Sequence, residues 1–520
     1  MAKGKVYLVG AGPGDPGLIT IKGVECLKQA DLILYDGLVN PLLLQHVSSE
    51  VERTCRVAVG CNNRRILKQD EINQRLITAA REGKTVVRLK GGDPFIFGRG
   101  SEEAVALREA RIDFEVIPGI TAATAAAGYA GISITHRAHA SAVALITGHE
   151  NPDKSDSSLD YEVLAKFPGT LVFYMGLHKI ESIVSSLIQA GKSESTPAAV
   201  ISRGTTPFQK TVCGQLSDLP DSVKKAGLIA PSLIVIGECV SLRDQIAWFE
   251  QKPLFGLRIG ITRPWEQSET EIKLALKMGA QPILLPTIEI SGPADWAPVD
   301  NAISRLEEYQ WLVFTSANGV QYFLNRLWET GFDARQLSHL KIATIGPSTA
   351  EALNAFHLRA DLVPPQYRAE ALAAAMKPLV GQQRILWAGA NRGREVLQNE
   401  LATVSAVVDK IVVYENHDMT EWDPESIGLL ESGELDWIGL SSPSIARNFN
   451  RLLTEKAREQ LGKKIKLASI SPVTTQAASE VGLQVEAEAE EYHWKGIFDA
   501  ILKQESSTST LPRNTESTPE

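Results

Sequence analysis

One stretch, VVRLKGGDPFIFGRGSEE at residues 86–103, constrains the fold more than any other. It begins with a β-branched apolar run, which predicts a buried strand, and it breaks at Gly91, Gly92 and Asp93 before a proline. Two glycines let backbone approach a ligand closely, and the proline fixes the next φ. Open α/β sheets bind ligands where a strand ends in such a loop. The stretch therefore predicts either a ligand site or an ordinary strand-to-helix turn.

The same alternation of strand, loop and helix runs through the first half. A first strand in KVYLVG leads into GAGPGD, whose glycine spacing is not that of the dinucleotide fingerprint. Apolar runs predict strands at 32–35 and 143–147, and Asp36 follows the first of them as either a base or a turn cap. After residue 160 the alternation is less strict, which indicates a second lobe with a mixed sheet.

The second half contains an internal repeat. WLVFTSANGVQYFLNRL, from Trp311, resembles DWIGLSSPSIARNFNRLL, from Asp436. Downstream, ATIGPSTAEAL resembles ASISPVTTQAA. Each copy reads as a buried strand, a Ser-rich turn and a helix, followed by a second strand, turn and helix. Two copies are too few for a solenoid, so the pattern predicts two similar α/β lobes with facing Ser/Thr-lined turns.

Composition excludes several classes of protein. The 520 residues carry a net charge of −9, which argues against nucleic-acid binding. Five cysteines without a C-x-x-C spacing indicate reduced thiols and neither a disulfide framework nor a zinc finger. No apolar run is long enough to span a bilayer, and the N-terminus does not resemble a signal peptide. We therefore expect a cytoplasmic protein with no membrane partner.

The first half resembles the uroporphyrinogen-III C-methyltransferases, which are tetrapyrrole methylases that use S-adenosylmethionine (SAM). The resemblance rests on motifs that occur in order: VGAGPGDPGLIT, ADLILYDGLV, VVRLKGGDPFIFGRGSEE, PGITAATAAAGYAGI, THR, TGH, YMG, SRGTTPFQ and APSLIVIGE. It implies an α/β methylase fold of two lobes.

The second half resembles uroporphyrinogen-III synthase. The motifs are ITRP, FTSANGV, IGPSTAEAL, VVYEN, LSSPSIARNF and SISPVTTQAA. It implies a second two-lobed α/β fold. We expect the methylase at residues 1–248, with lobes at about 1–115 and 116–248, and a linker at 249–256. The synthase is expected at 257–503, where lobe one covers about 257–290 and 417–503 and lobe two covers about 295–412. Residues 504–520 are expected to form a disordered tail.

The methylase resemblance implies that SAM binds between the two lobes. The synthase reaction needs no metal, and we expect none in this protein. Asp36 matches the proton acceptor proposed for the family, and an acid such as Asp93 suits the ribose or the cationic end of the cofactor. The implied cofactor contacts are Pro13, Gly91, Gly92, Asp93, Ile96, Thr121, Ala122, Met175 and Gly204.

One departure from the family concerns the residues after the third strand. The family usually has Gly-Lys-Arg there, with the lysine a proposed proton donor, whereas Cys61 follows Gly60 in this chain. Three interpretations follow. Either Arg64 or Arg65 supplies the positive charge of the missing lysine, or the lysine is dispensable, or the methylase half has impaired activity. Because a polycarboxylated substrate favours cationic partners, the candidates for substrate binding in this half are Arg99, His136 and Arg137.

In the synthase half, Tyr414 matches the family's tyrosine near the leaving hydroxyl, and its alternative is a half-buried strand aromatic. The polar turn residues that could bind substrate carboxylates are Thr315, Ser316, Asn318, Ser442 and Thr474.

The two resemblances together imply consecutive steps. Hydroxymethylbilane is cyclised to uroporphyrinogen III, which SAM then methylates at C2 and C7 to precorrin-2, for sirohaem, cobalamin or both. The alternative is that the methylase half is inactive or acts on another tetrapyrrole, and that only the synthase step is active. The resemblance also implies a homodimer formed through the methylase half.

Overall fold

The computed structural model describes residues 4–44, 47, 49–54, 67–148, 159–393 and 395–508. Four five-stranded sheets form the framework, two in each half of the sequence. Helices pack against the sheets, so the protein is α/β, as the sequence predicts. None of the helices in the described ranges has the length and apolar character needed to cross a membrane.

The first sheet is wholly parallel, in the order β3-β2-β4-β1-β5. Its strands are buried apolar runs, and the strand predicted at Leu32–Tyr35 is confirmed. Because β4 lies between β2 and β1, the carboxyl ends of these strands meet at one edge, where their loops approach each other. The elements are β1 (Lys5–Gly10), α1 (Ile21–Gln29), β2 (Leu32–Tyr35), β3 (Glu50–Arg53), α2 (Gln69–Arg81), β4 (Thr85–Lys90), α3 (Gly100–Glu109) and β5 (Asp113–Ile117).

The second sheet is mixed, as expected, in the order β6-β7-β10-β8-β9. Only β6 and β7 are parallel, and the strand predicted at Val143–Thr147 is confirmed. The Ala-rich helix α4 packs on this sheet, because its small side chains allow close approach. The elements are α4 (Ala122–Tyr129), β6 (Val143–Thr147), α5 (Tyr161–Ala165), β7 (Thr170–Tyr174), α6 (Ile180–Gln189), β8 (Pro197–Ser202), β9 (Lys210–Gln215), α7 (Leu219–Lys225), β10 (Ser232–Ile236) and α8 (Arg243–Ile246).

The second half begins in one lobe, builds another, and returns to the first. The inserted lobe has the order β13-β17-β16-β14-β15, parallel except for the β13 and β17 pair. The elements up to its end are β11 (Arg258–Ile261), α9 (Glu269–Met278), β12 (Gln281–Leu284), β13 (Ile288–Ser291), α10 (Ala297–Ser304), β14 (Trp311–Phe314), α11 (Ala317–Glu329), β15 (Lys341–Thr344), α12 (Pro347–Ala352), α13 (Ala369–Val380), β16 (Arg384–Ala390), α14 (Val396–Ala402) and β17 (Val407–Asp418).

The returning chain completes the parallel sheet β12-β11-β18-β19-β20. The repeat is confirmed as two strand–turn–helix pairs, one in each lobe. The remaining elements are α15 (Pro424–Ser432), β18 (Trp437–Leu440), α16 (Pro443–Leu452), α17 (Glu455–Gln460), β19 (Lys466–Ser469), α18 (Pro472–Glu480), β20 (Ala487–Glu488) and α19 (Trp494–Thr508).

Two expected boundaries differ from the structure. The strand β13 was expected mostly within lobe one, but it pairs with β17 in the sheet of lobe two. The tail expected from Gln504 is helical through Thr508. Glu505 holds this last turn, since its Oε1 accepts hydrogen bonds from Trp437 Nε1 at 3.0 Å and Lys466 Nζ at 2.9 Å.

The two halves contact each other directly. Leu42 of the first half joins the apolar cluster that contains Leu254 and Ile259. Arg258 lies over the Phe208 ring, with its guanidinium carbon 4.3 Å from the ring centroid. The linker therefore joins two packed bodies.

Candidate functional site

Three glycines bring the strand ends of the first sheet into backbone contact. A Cβ on Gly119 would lie 2.2 Å from the Gly92 carbonyl oxygen, and one on Gly10 would lie 2.5 Å from the Gly119 Cα. Gly92 also donates its N–H to the Gly12 carbonyl oxygen at 2.8 Å. Side chains at Gly10 and Gly119 would force the loops apart, so the close approach requires glycine at these two positions.

Gly92 leaves its outer side open. Its φ is +70°, and a Cβ built there would meet no atom within 4 Å among the described residues. Gly91 faces the loop after β2, since its own Cβ would lie 3.1 Å from the Leu38 Cβ. The predicted glycine turn therefore borders open space and lies close to the segment that carries Asp36.

Asp93 ties two of these loops together. Its Oδ1 accepts hydrogen bonds from the backbone N–H groups of Phe95 at 2.8 Å and Ile96 at 3.1 Å, and its Oδ2 accepts one from Gly119 N–H at 3.0 Å. The sequence assigned this carboxylate to the cofactor. In the structure, the Asp93 carboxylate accepts hydrogen bonds from backbone N–H groups of the loops. Contact between this carboxylate and the cofactor stays a prediction.

Asp36 is bound to a buried arginine. Arg88 on β4 is fully buried and donates from Nη2 to Asp36 Oδ1, while Thr54 Oγ1 lies 3.2 Å from the same oxygen. The Asp36 side chain is 14% exposed, so it reaches the surface of the crevice. An adjacent cation favours the ionised form of a carboxylate.

Two further charged residues complete this cluster, and sequence reasoning missed them. Lys90 and Glu103 are fully buried, and Lys90 Nζ donates to Glu103 Oε1 at 2.8 Å. Burial lowers the pKa of Lys90 to about 8. A signal was present in VVRLK: two cations at alternate positions of an otherwise apolar strand share one face, and buried cations require anionic partners.

The second lobe contributes the opposite wall through Tyr174. Its hydroxyl lies 2.6 Å from Thr121 Oγ1 and accepts a hydrogen bond from Ala123 N–H at 2.9 Å. Burial raises the pKa of Tyr174. The Phe97 ring of the first lobe lies 4.9 Å from the Tyr174 ring, centroid to centroid. These contacts bring the start of α4, which includes Thr121 and Ala122, to the glycine-rich stretch.

Backbone strain is concentrated in the same loops. Left-handed φ values in residues other than glycine are uncommon and cluster at functional sites. Five such residues lie in the loops of the first half discussed here, with φ between +49° and +65°: Phe97, Arg99, Met175, Arg203 and Thr205. Met175 and Arg99 are among the residues predicted from the sequence, whereas Arg203 and Thr205 are not.

Pro13 and Gly204 lie where the two lobes touch. A Cβ on Gly14 would be 2.8 Å from the Thr206 Cγ2, and Asp15 N–H donates to Thr205 Oγ1 at 3.1 Å. Gly204 is required by packing, since a Cβ there would be 2.4 Å from the Ala126 Cβ. The structure thus places the nine predicted cofactor residues in the loops at the strand ends of the first sheet and at the junction with the second lobe; that they bind a cofactor stays a prediction.

The predicted cationic residues are more dispersed. Arg99 pairs with Glu102 through Nε and Nη2, at 2.7 and 2.5 Å. His136 and Arg137 lie in an exposed turn, with the His136 ring 4.8 Å from that of His139. Within the described ranges, no hydrogen bond connects His136 or Arg137 to the Asp36 cluster. Cys61, Arg64 and Arg65 lie outside the described residues.

The second half forms its crevice from capped helices. Ser316 and Ser442 are equivalent positions of the repeat, and each caps a helix: Ser316 Oγ accepts from Gly319 N–H at 3.0 Å, and Ser442 Oγ accepts from Ile445 N–H at 3.2 Å. The first turn of each helix still presents further N–H groups that favour anions.

The other predicted turn residues differ in exposure. Thr315 Oγ1 accepts a hydrogen bond from Trp387 Nε1 at 3.1 Å. Thr474 is buried, with its Oγ1 3.2 Å from Ser471 Oγ, whereas Asn318 is partly exposed. Thr474 is therefore better placed to shape the turn than to contact a ligand.

Tyr414 lies at the carboxyl end of the parallel strands of lobe two, where it pairs in register with Ala390. It is 8% exposed and stacks on Tyr322, with ring centroids 6.0 Å apart. The Tyr414 ring thus belongs to the core of lobe two. Tyr414 and Ser316 both lie at the edge of the sheet where the parallel strands end.

The two lobes of this half are joined by paired connectors. Met419 N–H donates to the Thr287 carbonyl oxygen at 3.1 Å, and Trp422 Nε1 donates to that of Pro286 at 2.8 Å. At the end of β17, Asp418 accepts hydrogen bonds from Arg392 of lobe two at 2.7 Å and from Asn448 of lobe one at 3.1 Å. Arg392 lowers the pKa of Asp418.

Comparison with known families agrees with this division. The family of tetrapyrrole (corrin/porphyrin) methylases matches residues 5–220, and the family of uroporphyrinogen-III synthase HemD matches residues 270–499. The chain is 36% identical over 505 residues to the porphyrin biosynthesis protein HemD of Ruminiclostridium josui, covering 97% of this chain and 98% of that protein.

Two further proteins are similar over part of the chain. The uroporphyrinogen-III C-methyltransferase of Bacillus subtilis (strain 168) is 42% identical over 65% of this chain and 69% of its own length. A solved uroporphyrin-III C-methyltransferase from Thermus thermophilus, complexed with S-adenyl homocysteine, is 34% identical, covers 45% of this chain and 93% of its own, and has a TM-score of 0.39.

The protein is therefore an enzyme of tetrapyrrole biosynthesis, with a methylase in its first half. More particularly, the chain belongs to the family in which a uroporphyrinogen-III C-methyltransferase is followed by a uroporphyrinogen-III synthase.

Proposed function

We propose that the chain catalyses two consecutive reactions of tetrapyrrole synthesis. The second half closes hydroxymethylbilane to uroporphyrinogen III. The first half then transfers two methyl groups from SAM, to C2 and C7, and releases precorrin-2 for sirohaem, cobalamin or both. The observation that carries this proposal is the Asp36 carboxylate, held by Arg88 next to the open glycine turn.

The crevice of the first half suits SAM chemically. Gly92 leaves open space at the end of β4, and the exposed side chains of Phe97 and Met175 provide apolar surface on which an adenine can lie. When bound, SAM supplies a methyl group already activated on a sulfonium. The chain then has to align the acceptor carbon with that methyl group and accept the proton that the carbon loses. We assign the second task to Asp36.

The second half has a geometric task. A linear tetrapyrrole must be folded until its ends meet, and two lobes on paired connectors suit closure around it. The capped helices at Ser316 and Ser442 offer N–H groups to its carboxylates. We assign Tyr414, at the same edge, to protonate the hydroxyl group that leaves the substrate. Because the Tyr414 side chain is mostly buried, only its phenolic hydroxyl can reach the substrate.

One sequence observation favours a second candidate function. The family resemblance implies a lysine at the position where this chain has Cys61. On that reading the methylase half is inactive or acts on another tetrapyrrole, and only uroporphyrinogen III is released.

One experiment distinguishes these functions. The purified full-length protein is incubated with hydroxymethylbilane, with and without SAM, and the products are identified by absorption and mass. We expect a doubly methylated product with SAM and uroporphyrinogen III without it. Unmethylated uroporphyrinogen III in both reactions supports the second candidate, and the type-I isomer alone overturns the synthase assignment.

We also propose a homodimer formed through the first half, on the strength of the family resemblance. Light scattering during size-exclusion chromatography tests it, and a monomeric mass across the working concentration range overturns it.

A further inference from the structure

The strand β4 carries two cations into the protein core. Arg88 and Lys90 are fully buried, and both face Glu103 of α3, which is fully buried as well. Buried charges are costly unless they are paired and hydrogen-bonded. Packing alone would favour apolar residues here, so the cluster invites a functional explanation.

Glu103 uses its two oxygens unequally. Its Oε1 accepts hydrogen bonds from Lys90 Nζ at 2.8 Å, Arg88 Nε at 3.2 Å and Gln69 Nε2 at 3.1 Å. Its Oε2 is buried and has no hydrogen-bond partner among the described residues. A carboxylate selected only for stability would be expected to satisfy both oxygens. Instead, Oε1 alone accepts hydrogen bonds from three side chains, which lie on the strand β4 and the helix α2.

Arg88 transmits this constraint to the crevice. Its Nε donates to Glu103 and its Nη2 donates to Asp36, while Nη1 reaches the Leu34 carbonyl oxygen at 3.3 Å. Because the guanidinium is planar and rigid, fixing one edge fixes the direction of the other. Of the two carboxylates in the cluster, Asp36 is the one with an exposed fraction, 14%, and Glu103 has none.

Among the described residues, the buried part of the cluster contains two cations, Arg88 and Lys90, and one fully buried anion, Glu103. If Glu103 lost its charge, the Asp36 carboxylate would lie near both cations without this neighbouring anion. Nearby positive charge favours the ionised carboxylate and makes it a weaker base.

We propose that Glu103 is a positioning residue for methyl transfer: through Arg88 it orients the Asp36 carboxylate and preserves its basicity, and through Lys90 it fixes the strand end that leads into Gly91. This rests on the proposed methyltransferase function. Glu103 touches neither substrate nor cofactor and acts only through its neighbours.

The test is Glu103→Gln, which keeps an oxygen acceptor and nearly the same shape but removes the charge. Methyl transfer from labelled SAM is measured across a range of pH, together with kcat and both KM values. The matched control is Glu109→Gln, on an exposed position of the same helix. We expect kcat to fall roughly tenfold or more, with KM changed less than about twofold. We also expect the acidic limb of the profile to move to lower pH.

Two further variants make the outcome decisive. Glu103→Asp keeps the charge but shortens the side chain, so its acidic limb should stay near that of the unchanged protein while kcat falls. Should Glu103→Gln fail to fold, an unchanged kcat in Glu103→Asp overturns the positioning role. Asp36→Asn reports on the proposed base itself. SAM binding by calorimetry and synthase turnover of the same preparations establish that each variant is folded.

The results separate the two proposals. Unchanged kcat and pH profile in Glu103→Gln, with Asp36→Asn impaired, overturn the positioning role and leave the proposed function intact. A loss of SAM affinity and thermal stability without any shift of the acidic limb also overturns it, because that pattern is purely structural. Full activity of Asp36→Asn removes Asp36 from the mechanism and overturns the positioning role with it, whereas no methyl transfer by the unchanged protein contradicts the proposed function instead.

Discussion

The two crevices of this protein are built at the same kind of parallel-strand edge but hold their polar groups in different ways. In the first half, buried charges fix one carboxylate, and strained loops surround it. In the second half, hydroxyls cap helices and the ion pairs at the lobe junction are partly exposed. The first arrangement holds its carboxylate with a buried arginine, whereas the second joins two lobes by paired connectors.

This difference matches the two proposed reactions. Methyl transfer requires a fixed line between donor and acceptor and a base in a set position. Closing a linear tetrapyrrole requires large parts of the substrate to be brought together. On this proposal a parallel-strand edge serves either task, and the surrounding side chains determine which one.

The largest effect is expected from Asp36→Asn. The amide cannot accept a proton as the carboxylate does, so methyl transfer should fall by roughly 10² to 10⁴, while synthase turnover stays unchanged. Labelled SAM reports the first activity and product isomer analysis the second. Parallel loss of both activities would contradict the independence of the two crevices.

A smaller effect is expected from Tyr414→Phe in the other crevice. Loss of the hydroxyl should slow enzymatic closure about tenfold or more and raise the fraction of type-I product from uncatalysed closure. Chromatography of the oxidised products measures that fraction. Tyr309→Phe is the control, because the Tyr309 hydroxyl donates to Asp409 at 2.9 Å on another part of the lobe. No change in isomer ratio would reject the role of Tyr414.

Asp93→Ala tests the rigidity of the first crevice. The change removes three backbone hydrogen bonds to a carboxylate, so we expect about 2 kcal/mol or more of lost stability and weaker SAM binding. Thermal unfolding and calorimetry measure these effects, with the exposed Asp221→Ala as the control. Full stability with normal SAM affinity would show that the loop keeps its shape without this carboxylate.

The last effect is a pH dependence of stability, and it concerns the buried lysine. Folded Lys90 loses its proton near pH 8, whereas an ordinary lysine keeps it to about 10.5. Between these values the unfolded chain binds more protons, so stability should rise with pH across this window, by no more than about 3 kcal/mol.

Lys90→Met should remove that rise. Urea unfolding at about pH 8 and about pH 10 measures it as the difference between variant and unchanged protein, which cancels the titration of the other lysines. An equal pH dependence in both proteins would mean that Lys90 is not buried as a cation.

The order of secondary structure and the glycine-rich turn proposed to bind the cofactor were predictable from local signals. The strands at Leu32–Tyr35 and Val143–Thr147 follow from apolar runs. The turn at Gly91 and Gly92 follows from paired glycines after a buried strand. Such patterns lie within a few residues and reflect burial and backbone freedom, which each residue type carries with it.

The pairing of side chains was decided only by the tertiary structure. Asp36 and Arg88 are 52 positions apart, and Arg88 and Glu103 are 15 apart. Both oxygens of Asp93 bind backbone N–H groups, although its position in the loop pointed to a ligand. Charge and hydrogen-bond partners depend on which elements pack together in space, and no local pattern specifies that packing.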